Sequence, residues 1–464
     1  MPRNSSTSLW GSITSSRNSS SLLVVGSGAG ASWGELAAGR VFDGRGVHLR
    51  GHSVLLVTID QFAAAAALIQ LDGVARRVVL YPPDMSLEHL AFVAKSASAD
   101  VILTDRPALE SIDPMIKCII PCGRNITPGG VDRSSEIETE WILLTSGTTG
   151  VPKLVVHTLA TLIGAIERGN PSSTSIVWST FYDIRRYGGL QIFLRAAVTG
   201  AVLVLPGALE SATDFLARAG AHGVTHISGT PSHWRRALMS PAANRINPAY
   251  VRLSGEIADQ AILNQLRSQY SEARIAHAFA STEAGVAFVV DDGCMGVPSD
   301  AIEHTPHVEM KVEGHTLRVR SNRTAFRYLG EGSQPLKDAE GFVDTGDVLE
   351  LRDGRYHFIG RRDGTINVGG FKVHPEEIEV VINRHPEVSM SLVRAKKNPI
   401  TGTLVVADVV LKTPQSVDNG SQALQRDILQ FCRGELALYK VPVAINFVPA
   451  LAVAETGKLI RHHA

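Results

Sequence analysis

The sequence predicts an α/β protein with a large multi-layer α/β N-terminal domain and a small α+β C-terminal domain. Three observations carry that expectation. Apolar, β-rich runs alternate with Ala/Leu-rich helical stretches over most of the chain, the pattern of layered helices and sheets. From about Met310 the texture changes to short alternating segments separated by Gly and Asp, as in the hairpins of a small β unit. After the charged, glycine-flanked connector Gly360-Arg361-Arg362-Asp363-Gly364 comes a final stretch of about a hundred residues, an ordinary length for a small domain.

Taken in order, Ser53-Val54-Leu55-Leu56-Val57, Val101-Ile102-Leu103, Trp141-Ile142-Leu143-Leu144 and Ala201-Val202-Leu203-Val204-Leu205 are short apolar runs that read as buried strands. Helices are expected at Gln61 to Leu71 and Ser211 to Ala219. Lys311-Val312, Thr316 to Arg320, Phe342-Val343 and Tyr356-His357-Phe358 read as hairpin strands. The last stretch has its own helix at Pro375 to Arg384, with proline at the first helical position and Glu376 and Glu377 in the first turn. A strand follows at Leu404 to Leu411. These readings divide the chain into 1–360, a connector at 361–363, and 364–464. Residues 1–21 are Ser-rich, carry Arg3 and Arg17, and precede the first acid, Glu35. That is the composition of a transit peptide without its amphipathic period, so a disordered start is expected.

At 464 residues the chain is too long for one ordinary core. Hydrophobic content of 44% and charged content of 19% describe a soluble globular protein. Lys+Arg and Asp+Glu are equal at 45 each, so no net field recruits nucleic acid or an anionic membrane. No apolar run reaches the length of a membrane span. Cys118, Cys122, Cys294 and Cys432 do not make a disulfide framework, and the Cys118/Cys122 spacing lacks the second pair a zinc site needs. A reduced, cytoplasmic setting is expected.

The most informative segment is Thr145-Ser146-Gly147-Thr148-Thr149-Gly150-Val151-Pro152-Lys153, directly after the apolar run ending at Leu144. Glycines let the backbone approach a ligand closely. Hydroxyls and free N–H groups then face that ligand and the lysine supplies a point charge, a combination suited to polyphosphate. It is not a Walker loop, because Pro152 separates the last glycine from Lys153. A competing motif, Leu22-Leu23-Val24-Val25-Gly26-Ser27-Gly28-Ala29-Gly30, has the glycines of a dinucleotide-binding turn, with Asp43 at the distance of a ribose-binding acid. Ser32-Trp33-Gly34-Glu35-Leu36-Ala37 reads equally well as the start of a helix.

The 145–153 segment resembles the phosphate-binding signature of the adenylate-forming superfamily, which includes acyl- and aryl-CoA ligases, peptide-synthetase adenylation domains and luciferases. Five further segments resemble that superfamily's motifs in its order. Ala278-Phe279-Ala280-Ser281-Thr282-Glu283 is similar to Tyr-Gly-x-Thr-Glu; the resemblance implies that Phe279 faces the adenine, with Ala280 and Ser281 beside it, while Thr282 and Glu283 act in catalysis and Glu283 binds magnesium. Here Phe279 replaces Tyr and Ala280 replaces Gly. Leu253-Ser254-Gly255-Glu256-Ile257 resembles the turn framing the adenine pocket. Phe342-Val343-Asp344-Thr345-Gly346-Asp347 resembles the Thr-Gly-Asp element, which implies that Asp347 binds the ribose, with Arg361 as a second contact and Asp363 as the pivot of a mobile small domain. Asn367 to Glu379 matches the loop that enters the site for the second half-reaction, which assigns Gly369, Gly370 and Phe371 to the thiol step. Glu455-Thr456-Gly457-Lys458-Leu459-Ile460-Arg461 resembles Gly-Lys-x-x-Arg and implies that Lys458 is the catalytic lysine.

The resemblance runs from about Trp33 to Arg461. It implies an AMP-forming ligase using ATP, Mg2+ and CoA, which makes an acyl-adenylate and then captures it with a thiol. Leu438-Tyr439-Lys440-Val441-Pro442 is closer to the Tyr-Lys-Val-Pro of CoA ligases than to the Tyr-Met-Val-Pro of peptide synthetases. No carrier sequence follows Arg461 in this chain. Pro152-Lys153-Leu154-Val155 resembles aryl-acid members that load a separate carrier protein, so a carrier phosphopantetheine thiol is the alternative acceptor. The family's spacing places Tyr182, Arg185 and Gly188 in the acyl pocket, although Tyr182 to Gly189 departs from the usual Pro-x-x-His-x-x-Gly. Arg185 is either a partner for a polar substrate tail or the partner of Asp183 in the pocket wall. Asp183 does not sit where peptide synthetases hold an amino acid's α-amine. The expected acid is aromatic or short acyl, and the expected assembly a monomer or homodimer.

Overall fold

The computed structural model describes residues 8–15, 23–42, 49–107, 109, 115–130, 133, 137–145, 150–167, 176–330, 332–398, 402–413, 419–454 and 457–461. Two eight-stranded sheets dominate the large domain. One has Leu23–Gly26, Val202–Val204, Val177–Thr180, His226–Gly229, Tyr250–Ser254 and Arg274–Ser281 in parallel, with antiparallel strands Ala29–Ser32 and Gly285–Val290 at its edges. The other has a parallel centre of Ser53–Val57, Arg77–Leu80, Val101–Thr104, Cys118–Pro128 and Glu140–Thr145, flanked by antiparallel Lys153–His157, Arg327–Leu329 and Gly39–Phe42. The continuous apolar runs Val54 to Val57 and Trp141 to Leu144 are buried throughout, as expected of strands covered on both faces.

Between the sheets lies the helix Gln61–Leu71, and all eleven of its residues are buried. A helix apolar on every side belongs inside a protein. Its five consecutive alanines, Ala63 to Ala67, allow a close approach of backbone to both sheets. It shares one core with Val24 and Leu203 of the first sheet and Val54, Leu56 and Val78 of the second. Asp60 caps it by accepting from Ala63 N–H at 2.8 Å.

A five-stranded sheet follows, built from Val297–Pro298, Val308–Glu313, Thr316–Ser321, Val343–Arg352 and Arg355–Arg361, and it contains the hairpins expected there. Beyond the short turn Arg362–Gly364, the small domain has a hairpin of Ile366–Val368 and Phe371–Val373. Its three-stranded sheet (Val388–Asn398, Gly402–Leu411, Ala444–Phe447) packs against helices Pro375–Ile382 and Asn419–Glu435 around Val373, Ile378, Val409 and Ile428. The chain is therefore a large α/β domain with a smaller α+β domain.

Two expectations are corrected. The glycine cluster is not a dinucleotide turn: Leu23–Gly26 and Ala29–Ser32 pair antiparallel, Gly26 opposite Ala29, so a hairpin stands where a strand-to-helix turn is required. The helix Trp33–Ala38 follows that hairpin, closed by a capping box between Ser32 and Glu35. Asp43 lies outside the described residues. Nor is the start of the chain disordered throughout. Leu9–Thr14 is helical, capped by Ser8, with Leu9 and Ile13 on one face inside the main core. The spacing i, i+4 places both on that face, which a reading of serine content overlooks. Arg3 and Arg17 lie outside the described residues. No described helix is long and apolar enough to cross a membrane.

The Asp72 carboxylate ties that N-terminal helix to the second sheet, accepting from Leu9 N–H at 2.8 Å and Trp141 Nε1–H at 2.9 Å while 3% exposed. Asp72→Ala leaves two buried donors without acceptors and is expected to lower unfolding free energy by roughly 3 kcal/mol in denaturant titrations followed by tryptophan fluorescence. A change within experimental error would mean that the helix contributes nothing to the core.

Candidate active site

The sheet ends and the last turn of the small domain converge on one cleft. Thr145 and Lys153 are directly paired across antiparallel strands, so the segment between them closes a hairpin instead of opening a helix. Ser146, Gly147, Thr148 and Thr149 lie outside the described residues. Gly150 has φ +81°, with no atom of the described residues within 4 Å of where a Cβ would stand. The Thr145 hydroxyl is buried with no hydrogen-bond partner among the described residues. An orphaned hydroxyl at this point suits an incoming oxygen acceptor.

His157, at the far end of the Lys153 strand, is fully buried and bonds Thr161 Oγ1 at 2.9 Å and the Thr282 carbonyl at 2.7 Å. Burial pulls its pKa down to about 4, so it is neutral and donates one N–H to that carbonyl. It thereby fixes Thr282 and Glu283 beside the phosphate-loop hairpin. Tyr328 donates to Glu283 Oε1 at 3.3 Å, and Lys153 Nζ stands 5.4 Å from the Tyr328 ring centroid. The Ser281 hydroxyl is occupied in its own turn, accepting from Ala284 N–H at 2.9 Å. Between Phe279 and Ala280 the strand register shifts, a bulge of the sort that re-aims side chains beside functional sites. The Phe279 ring stacks on Phe358 at 5.2 Å and on Phe288 at 5.8 Å, which joins the first sheet to the five-stranded sheet.

Asp347 stands across its strand pair from Arg361, whose guanidinium lies 3.9 Å away. Burial pushes the Asp347 carboxyl up, and the charges of Arg361 and Lys458 oppose that shift. Arg361 also bonds Asp363 at 3.1 Å, inside the turn that leads to the small domain.

Lys458 enters from the small domain. Its Cε lies 3.5 Å from the position a Cβ would take at Gly255, a residue with φ +85°. Glu455 and Thr456 lie outside the described residues. Glu256, in the turn after Ser254, spends both carboxylate oxygens on backbone donors: Ser232 N–H at 2.9 Å and Leu459 N–H at 3.0 Å. Ile257 follows in that turn. His233, pulled down to about 3 by burial, is neutral and stacks on Phe181 at 5.4 Å beneath Gly457. The loop expected to serve the thiol step stands apart. Gly369 and Gly370 form the two-residue turn of their hairpin, with φ +57° and +92°, and no atom of the described residues lies within 4 Å of a Cβ at either. Phe371 beside them is exposed and stacks on Tyr439 at 4.5 Å.

The expected pocket residues divide. Tyr182 is buried, donates to the Ser254 carbonyl at 2.6 Å, and its hydroxyl oxygen lies 3.9 Å from a Cβ at Gly255, next to Lys458. Gly188 sits under the Tyr182 ring. Arg185 does not face a substrate. All five of its side-chain N–H donors are taken, by both Asp183 oxygens, the Thr58 carbonyl and hydroxyl, and the Ile59 carbonyl, and it is 1% exposed. A guanidinium bonded across two sheet ends is part of the wall. Thr230, Tyr328, His157 and His233 were missed in the sequence. Their only local signals are helix-capping or strand-end residue types.

Among the described residues no cluster of three His, Cys, Asp or Glu side chains is arranged to hold a metal. Glu283 with Thr282 offers hard oxygen donors and spare acceptor capacity, which fits a magnesium ion that takes its remaining ligands from water and phosphate.

The AMP-binding enzyme profile matches residues 54–324, and that of the AMP-binding enzyme C-terminal domain matches 377–458. The chain belongs to the AMP-binding enzyme family. It is 27% identical over 337 residues to the 3-[(3aS,4S,7aS)-7a-methyl-1,5-dioxo-octahydro-1H-inden-4-yl]propanoyl:CoA ligase of Rhodococcus jostii, covering 69% of this chain and 64% of that protein. It is 24% identical over 459 residues to a dimodular nonribosomal peptide synthase of Bacillus subtilis, covering 86% of this chain and 18% of that one. The chain thus spans less than two thirds of either relative. The crystal structure of the anthranilate CoA ligase AuaEII with anthranoyl-AMP superposes with a TM-score of 0.78 at 18% identity, over 97% of this chain and 95% of that one. At that identity the likeness establishes the shared adenylate-forming fold.

Two predictions arise here. Arg185→Ala leaves the half-buried Asp183 without its cation and the Thr58 carbonyl without its donor, and is expected to cost about 2 kcal/mol or more of stability; the ranking of accepted acids should not move, and a changed ranking would return Arg185 to the pocket. Glu376, in the first turn of Pro375–Ile382, has an unpartnered oxygen 2.6 Å from a Cβ at Gly360. Burial pushes its carboxyl from 4.5 up to about 7, against the pull of Arg461. The folded protein therefore holds a proton that the unfolded chain releases, and stability falls as pH rises from about 4.5 through about 7. Glu376→Gln should leave the melting temperature near pH 5 little changed and raise it by roughly 2 °C or more at pH 8.5. A difference that does not grow with pH would rule this out.

Proposed function

We propose that this chain is an ATP-dependent, AMP-forming acid–thiol ligase that activates an aromatic or short acyl acid as its adenylate and transfers the acyl group to CoA. The observation that carries the reading is the position of Lys458. The small domain's last turn brings the Lys458 side chain to Gly255, within electrostatic reach of Asp347, whose partner Arg361 also feels the charge of Glu283.

In the first step a carboxylate oxygen bonds to the α-phosphorus of ATP, the bond to the bridging oxygen breaks, and pyrophosphate leaves. Both reactants are anions, so the main requirement is a fixed positive charge that keeps them in line. Lys458 fills that role. Asp347 accepts hydrogen bonds from the ribose hydroxyls, with Arg361 alongside, and Lys153 with the phosphate-loop hydroxyls holds the polyphosphate. Glu283, with Thr282 near by, would hold a magnesium ion, which would supply charge neutralisation for the departing phosphates. In the second step the small domain turns about Asp363, which withdraws Lys458 and brings the Gly369-Gly370 turn to the cleft. The thiolate sulfur bonds to the acyl carbon, the acyl–phosphate oxygen bond breaks, and AMP leaves. A carrier-held phosphopantetheine thiol is the second reading. It is supported by the similarity to the peptide synthase and by the exposed Phe371–Tyr439 pair beside that turn.

The test incubates the protein with ATP, magnesium, CoA and a panel of aryl, short-chain and dicarboxylic acids, reading AMP and products by mass. An acyl-CoA product is expected. Lys458→Ala should slow adenylation by on the order of a hundredfold or more while transfer from preformed adenylate falls far less. Adenylate without thioester under saturating CoA would favour the carrier, and no acid-dependent AMP or pyrophosphate exchange at all would sink the reading.

A further inference from the structure

Lys458 is pinned through its backbone on both sides. Thr230 Oγ1 donates to the Gly457 carbonyl at 2.6 Å, and Leu459 N–H donates to Glu256 Oε1 at 3.0 Å. Both anchors are built on the start of one large-domain helix, Pro231–Leu238. Thr230 is its N-cap and its hydroxyl also accepts from His233 N–H at 3.0 Å. The second oxygen of Glu256 accepts from Ser232 N–H at 2.9 Å, an amide that has no partner within the helix. Beside the first of these bonds Gly457 backs onto the neutral His233 ring. Gly457 has φ +76°, and a Cβ there would stand 1.8 Å from His233 Cε1, so only glycine fits. The same helix continues the contact with the small domain, where Arg235 donates to the Ser389 carbonyl at 3.0 Å.

We propose that Thr230 and Glu256 are positioning residues. They hold the lysine turn in its adenylate-forming place, and breaking their two bonds gates the swing to the thiol step. This rests on the role given to Lys458 above. A lysine side chain has four rotatable bonds, so the position of its ammonium is only as well defined as the backbone that carries it. Two hydrogen bonds on adjacent peptide units define that backbone. Both link the two domains, so neither survives the rotation. Weakening them favours the second step over the first.

The experiment compares the wild-type chain with Thr230→Val, Thr230→Ser and Glu256→Gln. Hydrogen-exchange mass spectrometry reads the segment 452–461, and the two half-reactions are timed separately with the preferred acid of the panel. Faster exchange in that segment is expected for Thr230→Val and Glu256→Gln. The ratio of the adenylation rate to the transfer rate should fall roughly tenfold for each lost bond, through kcat more than through the KM for ATP, and Thr230→Ser should restore it. Unchanged exchange overturns the clamp. Equal losses in both half-reactions, with the ratio unmoved, reduce the pair to a structural role and overturn the gate. If the wild-type chain adenylates nothing, the functional reading fails instead, and the exchange result alone decides whether the clamp exists.

Discussion

The packing of one helix between two sheets sets the geometry of everything else. Gln61–Leu71 touches both eight-stranded sheets at once, and its alanines bring them close enough to share a core. Strands related in this way finish at a common edge. Polar groups at that edge then bond from one sheet to the other. Gln61 accepts from Ile184 N–H and donates to the Pro206 carbonyl, and Arg185 spans from Asp183 to Thr58 and Ile59. The cleft wall is rigid because each of these groups is buried and satisfied.

Against that fixed wall the small domain contributes few residues through a polar interface. Its contacts with the large domain include hydrogen bonds at Thr230, Glu256, Arg235 and Asp259, where Asn383 donates to Asp259 at 3.1 Å. Val373, Ile378, Val409 and Ile428 stay in its own core. A polar interface of that kind separates at a smaller cost in exposed apolar surface than a hydrophobic one, which favours motion between domains. Arg461 bonds both oxygens of Glu379 at 2.7 and 2.8 Å within the small domain, so the end of the chain moves with its helix and carries Lys458 along.

Much of the candidate site was legible because its parts are short and contiguous. The Thr145–Lys153 hairpin, the Gly369-Gly370 turn and the Gly457-Lys458 turn each depend on backbone freedom and hydroxyl or charge chemistry within a few neighbouring residues. Arg185 was the harder case. Its place in the sequence is the same whether the guanidinium points into a pocket or out to Thr58, and the difference lies in acceptors 127 positions away. His157 and Thr230 were invisible for the same reason. One looks like a strand-end histidine and the other like a helix cap until Thr282 and Gly457 arrive beside them.

Sequence by itself determined the layered α/β class, the buried strands, the Ala/Leu-rich helix at Gln61 to Leu71, the change of texture before the small domain and the places of the glycine-bearing turns. Each follows from local periodicity, glycine placement or residue chemistry. Tertiary structure alone decided that Leu9–Thr14 belongs to the core, that the early glycines make a hairpin, that Arg185 is wall, and that Lys458 is held between Thr230 and Glu256. Those outcomes depend on which distant donor meets which acceptor once water is excluded, and no window of neighbouring residues contains that information.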